Sequence, residues 1–336
     1  MAKQAFDTEL QEQNGVLNGP FRYPVQMLAE QEYGGHLSIH DDDQAEKLGF
    51  SGAPIEGPTH FSQFDPLLHK IWGDRWFEHG CISAHFKTMV VEGEEVQAFV
   101  EIPDANQNTP QNTPQNTTQN TPQNTTKIWA TKKTGEPVLE GTASVGPNHP
   151  ESRLDALMAS RPTPTQLVLL EGINIGDKSA DVDIVTMGFD QHLGNSYPFT
   201  LAGKLSKITE NCRWYQAEEA SGSPWGKAII PTEMVSPLVG YTKSGLKGPK
   251  GPSIGLFADL EVRMIKGPLF VGQPYALERE VVGLGESKRT ESMWIRTSIR
   301  DPESNELLAT TLLNSATMKQ SYEKYVEEAQ RIGKEL

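Results

Sequence analysis

At 336 residues the chain is long enough for two or three domains of ordinary size. Hydrophobic residues make up 36% and charged residues 22%, a folded globular composition, and 44 Asp+Glu against 30 Lys+Arg leave a net charge of -14. That charge repels nucleic acid phosphates and anionic lipid, so neither nucleic acid nor a membrane is expected as a partner. Cys81 and Cys212 stand far apart and in no metal-ligand spacing, which predicts buried free thiols and no metal. The first residues carry no apolar run of the signal-peptide kind, and no stretch is long and apolar enough for a membrane span, so a cytoplasmic location is expected.

In chain order, the first helix is expected after Pro58, because proline suits a first helical turn. Phe61, Phe64, Leu68 and Ile71 then fall on one stripe, with Pro66 expected to kink or end the helix. Val96, Ala98, Val100 and Ile102 alternate as a strand does, and Ile128, Ala130 and 138–145 resume that pattern. Between them lies a Gln-Asn-Thr repeat, residues 106–126, uncharged and without apolar side chains. It is expected to be a disordered insert in a hairpin turn. Residues 147–165 hold four prolines and a short possible helix from Ser152 to Ala159, the pattern of a linker. A second, shorter apolar stripe of Met234, Val235, Leu238 and Val239 follows Pro231. Long alternating strands come next, at Tyr275 to Val281, Met293 to Ile299 and Leu308 to Thr317. The polar run 320–336 has helical propensity and is expected to pack loosely on the surface.

The two halves echo each other. Gln44-Ala45-Glu46 recurs as Gln216-Ala217-Glu218, and Gly52 to Thr59 faces Gly226 to Thr232. Val90 to Val96 faces Leu269 to Tyr275, and Lys127 to Thr131 faces Met293 to Thr297. Four matches in one order predict an internal duplication. One helix wrapped by an antiparallel sheet, twice over, is an α+β tandem (double) hotdog. Its expected modules are 1–146 and 166–336, joined by 147–165.

The stretch His40, Ala45, Gly49-Phe50, Pro54-Ile55 and Gly57 resembles the active-site stretch of MaoC-like enoyl-CoA hydratases and dehydratases. The segment Gly226 to Val235 is similar to the helix start of the partner module in double-hotdog relatives. The resemblance implies a double-hotdog protein acting on acyl thioesters of coenzyme A or a carrier, with His40 as catalytic base. The family's upstream Asp position is Gly35 here, and its helix-start His is Glu56.

Read from the residues, His40 beside Asp41-Asp42-Asp43 suits a general base for water, with Asp42 assisting. The same aspartates also suit a helix N-cap. Glu233 at the second helix start is a candidate base or nucleophile. Thr59, His60 and Thr232, at the two helix starts, are candidates for contacting a thioester carbonyl. Cys212 and Tyr215 are candidates for a pocket mouth, or else for core. No Rossmann or Walker glycine fingerprint and no Gly-x-Ser-x-Gly elbow occurs, so no cofactor is expected. The expected activity is a hydratase or dehydratase, a lyase. The alternatives are a hotdog acyl-CoA thioesterase and a non-hydrating hotdog that binds or transforms a hydrophobic small molecule. Two fused modules leave both a monomer and a homodimer open.

Overall fold

The computed structural model describes residues 4–32, 35–103, 124–242 and 245–334. The first half runs β1 (Gln11–Gln13), β2 (Val16–Asn18) and α1 (Asp42–Lys47). A 3-10 segment, Gly57–Phe64, then continues directly into α2 (Asp65–Trp72), followed by α3 (Arg75–His79). After these come β3 (Gly80–Phe86), β4 (Val96–Glu101), β5 (Thr125–Lys132) and β6 (Pro137–Val145), and then α4 (Arg153–Ser160). The second half runs β7 (Asp183–Val185), α5 (Leu201–Leu205) and a 3-10 segment, Thr232–Met234, leading into α6 (Val235–Gly240). It ends with β8 (Gly255–Met264), β9 (Tyr275–Glu286), β10 (Thr290–Arg300), β11 (Leu307–Met318) and α7 (Tyr325–Arg331).

The strands form one sheet in the order β1-β2-β4-β5-β6-β3-β8-β11-β10-β9-β7, paired antiparallel throughout. The order β4-β5-β6-β3 is mirrored as β8-β11-β10-β9, and the halves join where Ala84 of β3 faces Leu260 of β8. In each half the sheet closes on a helical segment. Phe61, Phe64, Leu67 and Leu68 share a core with Val96, Ala98, Val100 and Ile128, and Met234, Val235 and Leu238 with Leu269, Tyr275 and Leu277. This is a tandem hotdog of the α+β class. Among the described residues no helix is long and apolar enough to cross a membrane.

The duplication is visible in hydrogen bonds. The Ile55 N–H donates to the Val90 carbonyl at 2.7 Å, and the Ile230 N–H donates to the Leu269 carbonyl at 2.8 Å. Pro54 bridges Val91 as Ile229 bridges Phe270. Each pair is followed by a glycine turn in the left-handed region, Gly93 at φ 92° and Gly272 at φ 77°, where a Cβ would strain the backbone. The Gln-Ala-Glu match has no structural counterpart. Residues 44–46 are helical because the Asp41 side chain caps α1, whereas 216–218 follow a 3-10 turn, Arg213–Tyr215, and lie outside any helix.

Pro66 does not end the helix. It sits in the first turn of α2, where the segment changes from 3-10 to α geometry. Most of the repeat lies outside the described residues, but Thr125 and Thr126, at its end, belong to β5. The strands it joins are direct antiparallel partners, with Val100 facing Ile128. The linker helix forms over Arg153–Ser160 with a Ser152–Asp155 capping box, and Leu154 is buried against Trp294 and Leu312. The C-terminal run is docked more firmly than its polarity suggests. Tyr325 and Ala329 are buried, and the Tyr325 hydroxyl and Lys334 Nζ both donate to the buried carboxylate of Glu291. That carboxylate also accepts the Val168 and Leu169 N–H groups, so one acid ties the C-terminus to the start of the second half.

Candidate functional site

A cavity of about 370 Å³ opens between the halves. Its wall is mostly apolar, with Ile39, Ile55, Phe86 and Val138 from the first half and Leu256 and Phe257 from the second. Five ionisable residues line it: His36, His40, Glu56 and His60 from one stretch of chain, and Lys87 just after β3. Gly57 lines it too, and the Phe86 ring lies so close that a Cβ at position 57 would sit 2.7 Å from it.

His40 precedes α1, and its ring is buried. Its Nδ1 lies 2.7 Å from the Pro54 carbonyl oxygen. A carbonyl only accepts, so the proton is assigned to Nδ1, and Nε2 keeps its lone pair. Burial lowers the His40 pKa to about 4, opposed by that hydrogen bond, so the ring is a neutral acceptor near neutral pH.

Neither Asp41 nor Asp42 bonds the imidazole. Asp41 accepts the Gln44 N–H as N-cap, and Asp42 Oδ1 accepts the Ala53 N–H at 2.7 Å. Asp42 therefore anchors the residue next to Pro54, and through it the carbonyl that orients His40.

Glu56 was visible in the sequence only as a departure from the family pattern; the structure places it in the cavity wall. Its Oε1 accepts a hydrogen bond from the Tyr197 hydroxyl at 3.0 Å, a contact across 141 positions. Burial raises its pKa to about 7, against the Lys204 charge and the Tyr197 hydrogen bond. His60 is almost fully buried with Nδ1 unpartnered, and burial, with the charges of Lys204 and Lys132, lowers its pKa to about 4.

The other candidates lie behind the wall. Thr59 Oγ1 accepts from Lys204 Nζ at 3.0 Å, and the same ammonium stands 3.4 Å from Glu233 Oε1. Glu233 is buried at the start of the second helical segment and does not line the cavity. Thr232 and Tyr215 both donate to the buried carboxyl of Asp65, at 2.7 and 2.8 Å, and Trp76 donates to it at 2.8 Å. Burial raises the Asp65 pKa to about 7 against these three donors. Cys212 is a buried free thiol whose backbone pairs with Phe6, and burial raises its pKa; it belongs to the core. Of the eight predicted residues, then, the cavity brings together His40 and His60. Thr59, Thr232, Tyr215 and Glu233 form a polar layer beneath it.

Asp65, Tyr197 and Lys204 carried no sequence signal. An Asp before Pro66 reads as a helix start, and the other two lie far along the chain from the groups they meet. Among the described residues no group of three or more His, Cys, Asp or Glu side chains is placed to hold a metal ion.

No family model matches the chain, and no curated protein matches it. Solved structures similar to it include a protein named as a MaoC domain dehydratase from Chloroflexus aurantiacus, with 13% identity and a TM-score of 0.49 over 94% of this chain and 95% of that one. Another is a MaoC-like dehydratase with 12% identity and a TM-score of 0.48, covering 90% and 97%. A conserved Mycobacterium tuberculosis protein described as having a double hotdog fold shows 11% identity and a TM-score of 0.41, covering 83% and 86%. Identities this low carry nothing about activity, and the chemistry rests on the cavity's own residues.

Proposed function

We propose that the protein adds water to, or removes it from, an acyl thioester held in this cavity, with His40 as general base and Glu56 as general acid. The observation that carries this reading is the pairing of the two groups in one wall. An imidazole with a free Nε2 lone pair and a carboxyl that protonates near neutrality are joined by the 54–56 segment. Two titratable groups driven apart by their surroundings are what acid and base roles require.

In hydration, His40 Nε2 takes a proton from water while the oxygen bonds to the β-carbon of the enoyl thioester. Glu56 gives its proton to the α-carbon as the double bond is consumed. The product carries one added water, and the proton on His40 returns to Glu56 through solvent. Dehydration runs the same steps in reverse. Gly57 begins the helical segment at the wall, where backbone dipoles favour the developing enolate oxygen. At roughly 30 Å³ for a water-sized unit, the cavity has room for on the order of a dozen heavy atoms, which suits a short to medium acyl group.

The test is mass spectrometry of a panel of enoyl-CoA and 3-hydroxyacyl-CoA substrates with the native protein, His40→Ala and Glu56→Gln. The expected product is heavier or lighter by one water and is lost in both variants. Release of free coenzyme A would replace this reading with a thioesterase. Binding without turnover across the panel would replace it with a hotdog that only holds its ligand.

A further inference from the structure

In the cavity wall and the layer beneath it, buried carboxyl groups from both halves cluster around one ammonium. Glu56 and Asp65 come from the first half and Glu233 from the second, and each is at most 8% exposed. Asp65 is met by three donors, Trp76, Tyr215 and Thr232, so dipoles rather than a charge satisfy it. The ammonium that faces the other two is Lys204 of α5, itself 5% exposed. Its Nζ is held by Thr59 Oγ1 at 3.0 Å, lies 3.4 Å from Glu233 Oε1, and stands 5.8 Å from the centre of the Phe199 ring. Glu56 is left with a neutral donor, the Tyr197 hydroxyl. One buried ammonium compensates one buried carboxylate, because an unpaired charge in the interior costs several kcal/mol of desolvation.

We infer that Lys204 and Glu233 form a charge-partitioning pair in which Glu233 engages the ammonium and thereby leaves Glu56 as a neutral carboxylic acid facing the cavity. Both are positioning residues that act through Glu56; the catalytic role assigned to Glu56 rests on the hydration reading above. The groups that act on Glu56 are Tyr197 from the loop before α5, Lys204 from α5 and Glu233 from the 3-10 segment Thr232–Met234, and His40 and His60 line the same cavity wall. Lys204 and Ser62 favour the ionised form of Glu233, and the neighbouring carboxyl groups of Glu56 and Asp65 are coupled to it by repulsion. Burial raises both carboxyl pKa values, Lys204 opposes the rise at both, and Glu233 adds to the rise at Glu56.

Two neighbouring substitutions therefore act in opposite directions. Glu233→Gln releases Lys204 to compensate Glu56, so Glu56 titrates at lower pH. Lys204→Met removes the compensating charge, so Glu56 titrates at higher pH. Each shift is expected to be about one unit, the scale of a single charge at this range. A purely structural role for either residue does not produce opposite signs.

The experiment is difference infrared titration of the carboxyl band in the full-length protein, the Glu56 band being identified by its loss in Glu56→Gln. Alongside it runs the alkaline limb of the pH–rate profile. The expected result is a downward shift in Glu233→Gln and an upward shift in Lys204→Met, in both readouts. Shifts of the same sign, or an unmoved Glu56 band in folded variants, overturn the inference. If Lys204→Met does not fold, Lys204→Gln takes its place with the same expected direction. If no thioester turns over, the infrared titration still decides the charge partition. If turnover is present and the band stays put, the inference falls and the hydration reading stands.

Discussion

His40 Nδ1 lies 2.7 Å from the carbonyl oxygen of Pro54, two residues before Glu56. One short extended segment therefore sets the tautomer of the proposed base and also carries the proposed acid. The pH dependence follows from their two pKa values. Hydration needs His40 unprotonated, which holds above about 4, and Glu56 protonated, which holds below about 7. The rate is expected to form a bell with its plateau on the acidic side of neutrality, falling as pH rises through about 7. A kcat/KM profile that climbs through pH 7 to 9 would remove Glu56 as the acid.

Asp42 and His40 separate a positioning effect from a chemical one. His40→Ala removes the proposed base and is expected to lower turnover by about 10² to 10⁴-fold. Asp42→Ala only releases the Ala53 N–H, and with it some of the order of the Pro54 carbonyl. A loss of less than about tenfold is expected, with stability lowered by about 1 kcal/mol, as for a lost surface hydrogen bond. Equal losses in the two variants would put Asp42 in the chemistry.

Asp65 makes stability depend on pH. Its folded pKa of about 7 lies above its ordinary 3.8. The stability from the favoured protonated form is therefore fully present below about pH 4 and is lost as pH rises through about 7. The loss is on the order of 4 kcal/mol over that window, at about 1.4 kcal/mol per unit. Asp65→Asn has no such proton to lose. Urea unfolding at pH 5 and pH 8 is expected to show native stability falling relative to the variant at the higher pH, and a constant difference would refute it.

Gly57 and Phe86 form a size-matched pair. A methyl group at position 57 meets the Phe86 ring at 2.7 Å, so Gly57→Ala is expected to displace the ring into the cavity and raise KM at least several-fold. Phe86→Leu in the same chain makes room and is expected to recover much of that loss. Additive effects in the double variant would show that the two side chains do not meet.

The repeat is expected to be dispensable. Its flanking strands pair directly, so deleting residues 107–122 shortens a connection between neighbours. Loop-closure entropy then favours the shortened chain by about 1 kcal/mol, readable as a small rise in Tm with activity unchanged. A fall in Tm or activity would assign the tract a role.

Much of the architecture was legible along the chain. Alternation at 96–102 and 275–281, prolines at 58 and 231 and the paired glycines at 93 and 272 are local signals, and local backbone preferences carry them. The Gln-Ala-Glu echo misled because three residues of helix-forming composition do not nucleate a helix by themselves; Asp41 caps one at 44–46, and no helix includes 216–218. The site was legible in part. His40 stood out beside its aspartates, yet its partner is a backbone carbonyl, which no side-chain pattern announces.

The sequence by itself determined a duplicated, antiparallel α+β chain with an uncharged polar insert and a histidine beside three aspartates. Those properties follow from periodicity and composition within windows of a few residues. Only the tertiary structure decided that Glu56 rather than Asp42 shares the cavity with His40, and that Lys204 faces Glu233 within the second half while donating to Thr59 across the joint. The reason is physical. Protonation is governed by burial and by charges brought together from more than a hundred positions away, and neither quantity exists until the chain has folded.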